Sequence, residues 1–228
     1  MRVSGIVFDC DGLLLDTEVC WSRAEATLFA RHGRAFGPTE KDLLIGRAIP
    51  VACENIAVCL DLPGQGPQLE AELAPLVEAE LASGARPLPG AEDLLSALVG
   101  RVPLAVATNS PRRMLDGALR SSGLAGYFSF TVAADEVRDP KPAPDLYLAA
   151  FAALGAHPCA GVTFEDSSTG AAAAKASGAY LVAVPSQPGK QLDGDHNTTS
   201  LADPALQEWA AAVQQGVFEP GDRCACAS

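Results

Sequence analysis

Short apolar runs and polar loops alternate along most of this chain. Runs at residues 3–8, 102–107, 130–133, 162–164 and 180–184 are rich in Val, Leu, Phe and Ala, and each leads into a polar loop. Continuous apolar runs bounded by turn residues predict strands buried on both faces. Between them, residues 91–98, 111–121, 144–154 and 169–177 carry helix-like patterns. Strands alternating with helices predict an α/β protein with a doubly wound parallel sheet. The punctuation agrees. Ser110 can cap a helix that begins at Pro111, and Gly123 follows its end. Gly155 and Gly178 stand where left-handed helix ends are expected.

One long stretch breaks the alternation. From Glu18 to about Ser83 the chain reads as helices only. Trp21, Ala24, Leu28 and Arg31 recur at helical spacing until Gly33, and Thr39-Glu40-Lys41-Asp42 resembles a capping box. Leu69, Leu73, Leu76 and Glu80 form a second stripe, which Pro75 should kink or divide. Residues 83–90 read as a return hinge. The expected organisation is a core at 1–16 and 86–228 with a small all-helical cap at 17–85 inserted after the first strand. The tail from Ser186 is polar, then helical from about Pro204 to Gln215.

Composition narrows the function. A chain of 228 residues suffices for one ordinary domain plus an insertion. No apolar run approaches the roughly 20 residues that span a bilayer, and the N-terminus reads as a strand and not a signal peptide. The formal net charge of −12 disfavours binding to nucleic acid or to anionic membranes. An anionic ligand would then need local cations to reverse the field around it. The seven cysteines, at 10, 20, 53, 59, 159, 224 and 226, lack zinc-site spacing. Cys224 and Cys226 close the chain in poor chelating geometry. A reduced, cytoplasmic setting with free thiols is the expectation.

The strongest chemical signal is Phe8-Asp9-Cys10-Asp11-Gly12 at the end of the first strand. Carboxylates two residues apart on a strand point to one side. Gly12 lets the chain turn sharply and approach a ligand. Without a cation such a pair repels and one member takes up a proton, whereas a divalent ion lets one stay ionised. Functional groups of a parallel sheet gather at the carboxyl ends of its strands, and three more candidates stand there. Thr108-Asn109-Ser110, with the helix that follows, can hold a phosphate. Lys141, flanked by Pro140 and Pro142, can neutralise a phosphoryl oxygen. Glu165-Asp166 is a hard-cation ligand pair.

Together these elements resemble the haloacid dehalogenase superfamily, in the helical-cap subgroup that includes β-phosphoglucomutase-like phosphatases. The resemblance spans nearly the whole chain. It implies that Asp9 is the nucleophile and a magnesium ligand, and that Asp11 is the general acid/base and offers its backbone carbonyl to the metal. It also implies that Thr108 and the backbone amide of Asn109 bind the phosphoryl group, with Lys141 bridging that group and Asp9. Asp166 would ligate Mg2+, supported by Glu165 directly or through water, and Arg47 in a cap loop would meet the substrate. The expected activity is hydrolysis of a small phosphorylated metabolite, with the metal site between core and cap.

The alternatives within that resemblance are specific. Dehalogenases need no acid/base partner or acidic pair, and Asp11 with Glu165-Asp166 argues against them. A Schiff-base lysine of the phosphonate-cleaving kind would have to be Lys41, whose surroundings give no reason for a depressed pKa. A β-phosphoglucomutase-type mutase carries a cap histidine where Trp21 stands here, which favours a phosphatase. A binding protein on this fold would have lost some of the carboxylates. His32, His157 and His196 have no expected role in catalysis, and Cys10 is expected in the core.

Overall fold

Apolar strand ends that carry charge need a sheet to bring them together, and the computed structural model supplies one. It describes residues 3–44, 49–186, 189 and 191–213. The chain runs β1 (Gly5–Phe8), β2 (Leu15–Asp16), α1 (Glu18–Arg31), α2 (Pro38–Leu44), α3 (Ile49–Cys59), α4 (Gly66–Gly84) and β3 (Arg86–Pro87). It continues α5 (Ala91–Leu98), β4 (Leu104–Ala107), α6 (Arg112–Ser121), β5 (Phe130–Val132), α7 (Asp145–Ala153) and β6 (Gly161–Glu165). It ends in α8 (Ser168–Ser177), β7 (Tyr180–Ala183), β8 (His196–Asn197) and α9 (Pro204–Ala212). Two units are distinguished, one of Met1–Asp16 with Arg86–Ser228 and one of Thr17–Ala85.

In the first unit a parallel sheet has the order β5-β4-β1-β6-β7-β8. Alternation sorts the strand residues between its two faces. Val7, Ala105, Ala107, Leu181 and Ala183 pack with Leu146, Tyr147, Phe151, Ala173 and Ala174 of α7 and α8. Residues of the other parity meet elsewhere: Phe8 stacks on Phe164 at 4.7 Å between ring centroids, and Trp209 of α9 lies 6.2 Å from Phe164. The doubly wound α/β sheet expected from the sequence is therefore present. Beside it β2 and β3 form a two-stranded antiparallel ribbon where the chain leaves and re-enters this unit. Two residues per strand are too few to show a period, so the ribbon leaves no sign in the hydrophobic pattern.

The second unit consists of α1 to α4, with α4 packed against α1 and α3. Its buried stripes are offset from the expected ones. On α1 the buried residues are Cys20, Ala24, Glu25, Leu28 and Phe29, while Trp21 is partly exposed and Arg31 exposed. On α4 they are Gly66, Leu69, Leu73, Val77 and Leu81, and the helix continues through Pro75. That i, i+4 stripe packs on both sides of Pro75, which offsets the one backbone hydrogen bond the proline removes. The capping box is displaced too. Helix α2 starts at Pro38, and Glu40 reaches back to accept from the Gly37 amide at 2.8 Å. Lys41 is committed to Glu25 at 2.9 Å and Glu18 at 3.1 Å. Among the described residues no helix is long and apolar enough to cross a membrane.

Candidate active site

Strand register places the first acid. Phe8 pairs with Phe164 on one side and with Val106 on the other, so Asp9 emerges between the ends of β6 and β4. Its amide donates to the Phe164 carbonyl at 3.0 Å. Asp9 shares the parity of Val7, which turns it towards the α7 side, where Glu165 also lies. Cys10 has the opposite parity and is buried, as expected.

Lys141 closes the group. Its ammonium donates to Asp9 Oδ1 at 2.5 Å, to Glu165 Oε1 at 2.6 Å and to the Ala107 carbonyl at 2.8 Å. These contacts use all three of its protons. Glu165 is fully buried, and its Oε1 also accepts from the Tyr147 hydroxyl at 2.6 Å. Its Oε2 accepts from the amides of Asp166 and Ser167 and from the Ser167 hydroxyl. Burial alone would depress the Lys141 pKa, but Asp9 and Glu165 hold it above the ordinary value.

The carboxylates outnumber that single ammonium. Asp9, Glu165 and Asp166 are all buried, and each offers an oxygen within 4.8 Å of the others. Burial pushes the Asp9 carboxyl up; Lys141 opposes the rise, and Glu165, Asp166 and Asp11 add to it. Burial, then the charge of Glu165, pushes Asp166 up to about 7 against the Ser186 hydroxyl and Lys141. Buried, under-compensated oxygen donors in one cluster suit a hard divalent cation, which would relieve both strains. The residues present fit such an ion.

The Thr108-Asn109-Ser110 segment is engaged within the protein. The hydroxyls of Thr108 and Ser110 donate to Asp11 Oδ2 at 2.9 and 2.8 Å. The Asn109 side chain grips the Lys141 backbone at both ends, donating to its carbonyl at 3.0 Å and accepting from its amide at 2.9 Å. Ser110 is not the cap of α6. Pro111 takes that position and the helix starts at Arg112, whose amide donates to Asp135 Oδ1 at 2.9 Å. That amide of the helix N-terminus is thus occupied by a carboxylate. Gly12 has φ +81°, and a β-carbon there would stand 2.6 Å from Asp166 Oδ2.

The structure thus brings Asp9, Asp11, Gly12, Thr108, Asn109, Ser110, Lys141, Glu165 and Asp166 to one end of the sheet. Arg47 lies outside the described residues, as do Cys224 and Cys226. Tyr147 and Ser186 also belong to this site, and neither carries a signal in the sequence. Tyr147 sits in an apolar helical stripe, where its ring reads as core. Ser186 follows β7 in a polar segment without a motif.

A family model described as haloacid dehalogenase-like hydrolase matches residues 3–178. Protein CbbY of Rhodobacter capsulatus is 32% identical over 231 residues, covering 96% of this chain and 99% of that protein. The bifunctional riboflavin kinase/FMN phosphatase of Arabidopsis thaliana is 31% identical over 222 residues, or 95% of this chain, which spans 58% of that longer protein. Among solved structures, a mutant of CbbY from Rhodobacter sphaeroides in complex with xylulose-(1,5)bisphosphate has a TM-score of 0.74 at 27% identity. The match covers 89% of this chain and 96% of that one.

Proposed function

We propose that this chain, a phosphoric monoester hydrolase that belongs to the haloacid dehalogenase-like family, is a magnesium-dependent phosphatase acting through an aspartyl-phosphate at Asp9. The substrate class we assign is a small phosphate monoester, a sugar phosphate or similar metabolite. Two relatives support that class: one is named in part as an FMN phosphatase, and the other was solved with xylulose-(1,5)bisphosphate. The observation that carries the reading is the 2.5 Å contact between Lys141 Nζ and Asp9 Oδ1, within a buried cluster of three carboxylates.

In the first step an Asp9 oxygen attacks phosphorus and the bond to the leaving alkoxide breaks. Lys141 holds Asp9 in place and turns a proton towards the phosphoryl oxygens as charge moves onto them. Asp11 gives its proton to the departing alkoxide. The hydroxyls of Thr108 and Ser110 fix its carboxyl in one orientation. In the second step Asp11 takes a proton from water as that water attacks the phosphoaspartate, freeing Asp9 and inorganic phosphate. Asp9, Asp166 and the Asp11 backbone carbonyl, supported by Glu165, are the residues we assign to hold magnesium. When bound, the ion supplies Lewis-acid neutralisation of the phosphoryl oxygens.

Phosphate release from a panel of phosphorylated metabolites, with magnesium and with EDTA, tests this function. Release that needs magnesium is the expected result. Isomerisation of a sugar phosphate without release would point to a mutase, and no turnover on any member would defeat the proposal.

A further inference from the structure

Buried tyrosines usually fill cores, and in the stripe Leu146, Tyr147, Ala150, Phe151 a phenylalanine would fill the same space. A phenol hydroxyl adds a cost on burial unless it finds a partner. Here the hydroxyl of fully buried Tyr147 donates to Glu165 Oε1 at 2.6 Å, the same oxygen that receives Lys141 Nζ at 2.6 Å. The ring of Tyr147 lies under that ammonium, 4.9 Å from Nζ to its centroid. Tyr147 therefore touches both members of the pair that aims Lys141.

The other side of Glu165 is closed. Its Oε2 is held by Asp166 and Ser167, and Gly170 of α8 presses so near that a β-carbon there would stand 1.8 Å from Oε1. With Oε2 fixed and α8 behind it, the placement of Oε1 is set by Tyr147 and Lys141 alone among its hydrogen-bond donors. Of the three protons on Lys141, those on Glu165 and Ala107 can persist while the one on Asp9 turns to an incoming phosphoryl oxygen.

We infer that Tyr147 is a positioning residue for phosphoryl recognition, acting through Glu165 and the face of its own ring to aim the Lys141 ammonium. This inference rests on the phosphatase reading above, since it presumes that an anionic phosphoryl group meets Lys141. It predicts a selective loss. Binding of inorganic phosphate in saturating magnesium should weaken, while binding of magnesium alone should hold.

Isothermal titration of the full chain with magnesium, then with inorganic phosphate in saturating magnesium, makes the test. Tyr147→Phe deletes one oxygen and keeps the ring. It should weaken phosphate binding about tenfold, the scale of one hydrogen bond to a charged group, with magnesium affinity within about twofold of wild type. Tyr147→Met removes the ring as well at similar volume and should lose more phosphate affinity than the phenylalanine variant. It also serves as the test should Tyr147→Phe not fold. Unchanged phosphate affinity in the variants would overturn the inference. So would parallel loss of magnesium and phosphate binding, because Tyr147 would then only support the site as a whole. A wild-type chain that binds inorganic phosphate but releases none from any phosphorylated metabolite would overturn the phosphatase reading itself, a separate result.

Discussion

Gly12 and Asp166 meet across the ends of neighbouring strands, close enough that a β-carbon on the glycine would stand 2.6 Å from Asp166 Oδ2. The backbone at Gly12 also holds φ at +81°, a region that costs other residues about 1–2 kcal/mol. Gly12→Ala should therefore lose about that much stability and, in addition, displace the Asp166 carboxylate. Calorimetric titration should show magnesium affinity falling by more than the stability loss explains. An alanine variant that binds magnesium as wild type does would show that Asp166 does not hold the ion in this position.

Glu165 carries the buried end of the Lys141 pair. Glu165→Gln keeps the shape but removes the charge, and it turns a donor towards the backbone amides that Oε2 accepts from. Removing one partner of a buried ion pair costs about 3–5 kcal/mol. Urea unfolding should show a loss of that size. A loss under about 1 kcal/mol would mean that Asp9 and the Ala107 carbonyl suffice to hold Lys141.

The raised pKa of Asp166 predicts that magnesium binding, if Asp166 is a ligand, depends on pH. In the metal-free protein a carboxyl pushed up to about 7 contributes stability that is complete below the ordinary carboxylate range. That stability is lost as pH rises through about 7. Metal needs the deprotonated form, so protons compete with it. The rise in thermal midpoint on adding magnesium should be larger near pH 8 than near pH 5.5, because both effects act in one direction. An equal rise at both pH values would contradict the assignment of Asp166 as a ligand.

The framework of this site was legible before any coordinates. Asp9, Lys141 and Asp166 each follow an apolar run or a proline-fixed loop, and strand ends on one edge of a parallel sheet must converge. What the sequence could not show was which hydrogen bonds each polar group makes. Ser110 reads as a helix cap by residue type, yet its hydroxyl goes to Asp11, a partner far away along the chain. Asn109 is expected to offer its backbone amide to phosphate, and nothing in the sequence signals that its side chain also grips the Lys141 backbone. Tyr147 carries no local signal, because its role depends on a carboxylate from another strand. In the helical unit the helices are legible in the sequence, but their buried faces lie about one residue from the expected ones. On α4, Leu76 and Val77 are equally apolar, and only the packing partner decides which is buried.

The proposed aspartyl-phosphate at Asp9 has a direct test. The chain should be mixed with an intact phosphomonoester that it hydrolyses and magnesium, quenched in acid during turnover, digested and analysed by mass spectrometry. The peptide that contains Asp9 is predicted to carry one added phosphoryl group in the wild-type chain. Asp9→Asn, which leaves Lys141 its contacts with Glu165 and Ala107, should fold, carry no such group and release no phosphate. Turnover by Asp9→Asn at a substantial fraction of the wild-type rate, or phosphate release with no modified Asp9 peptide, would contradict the account.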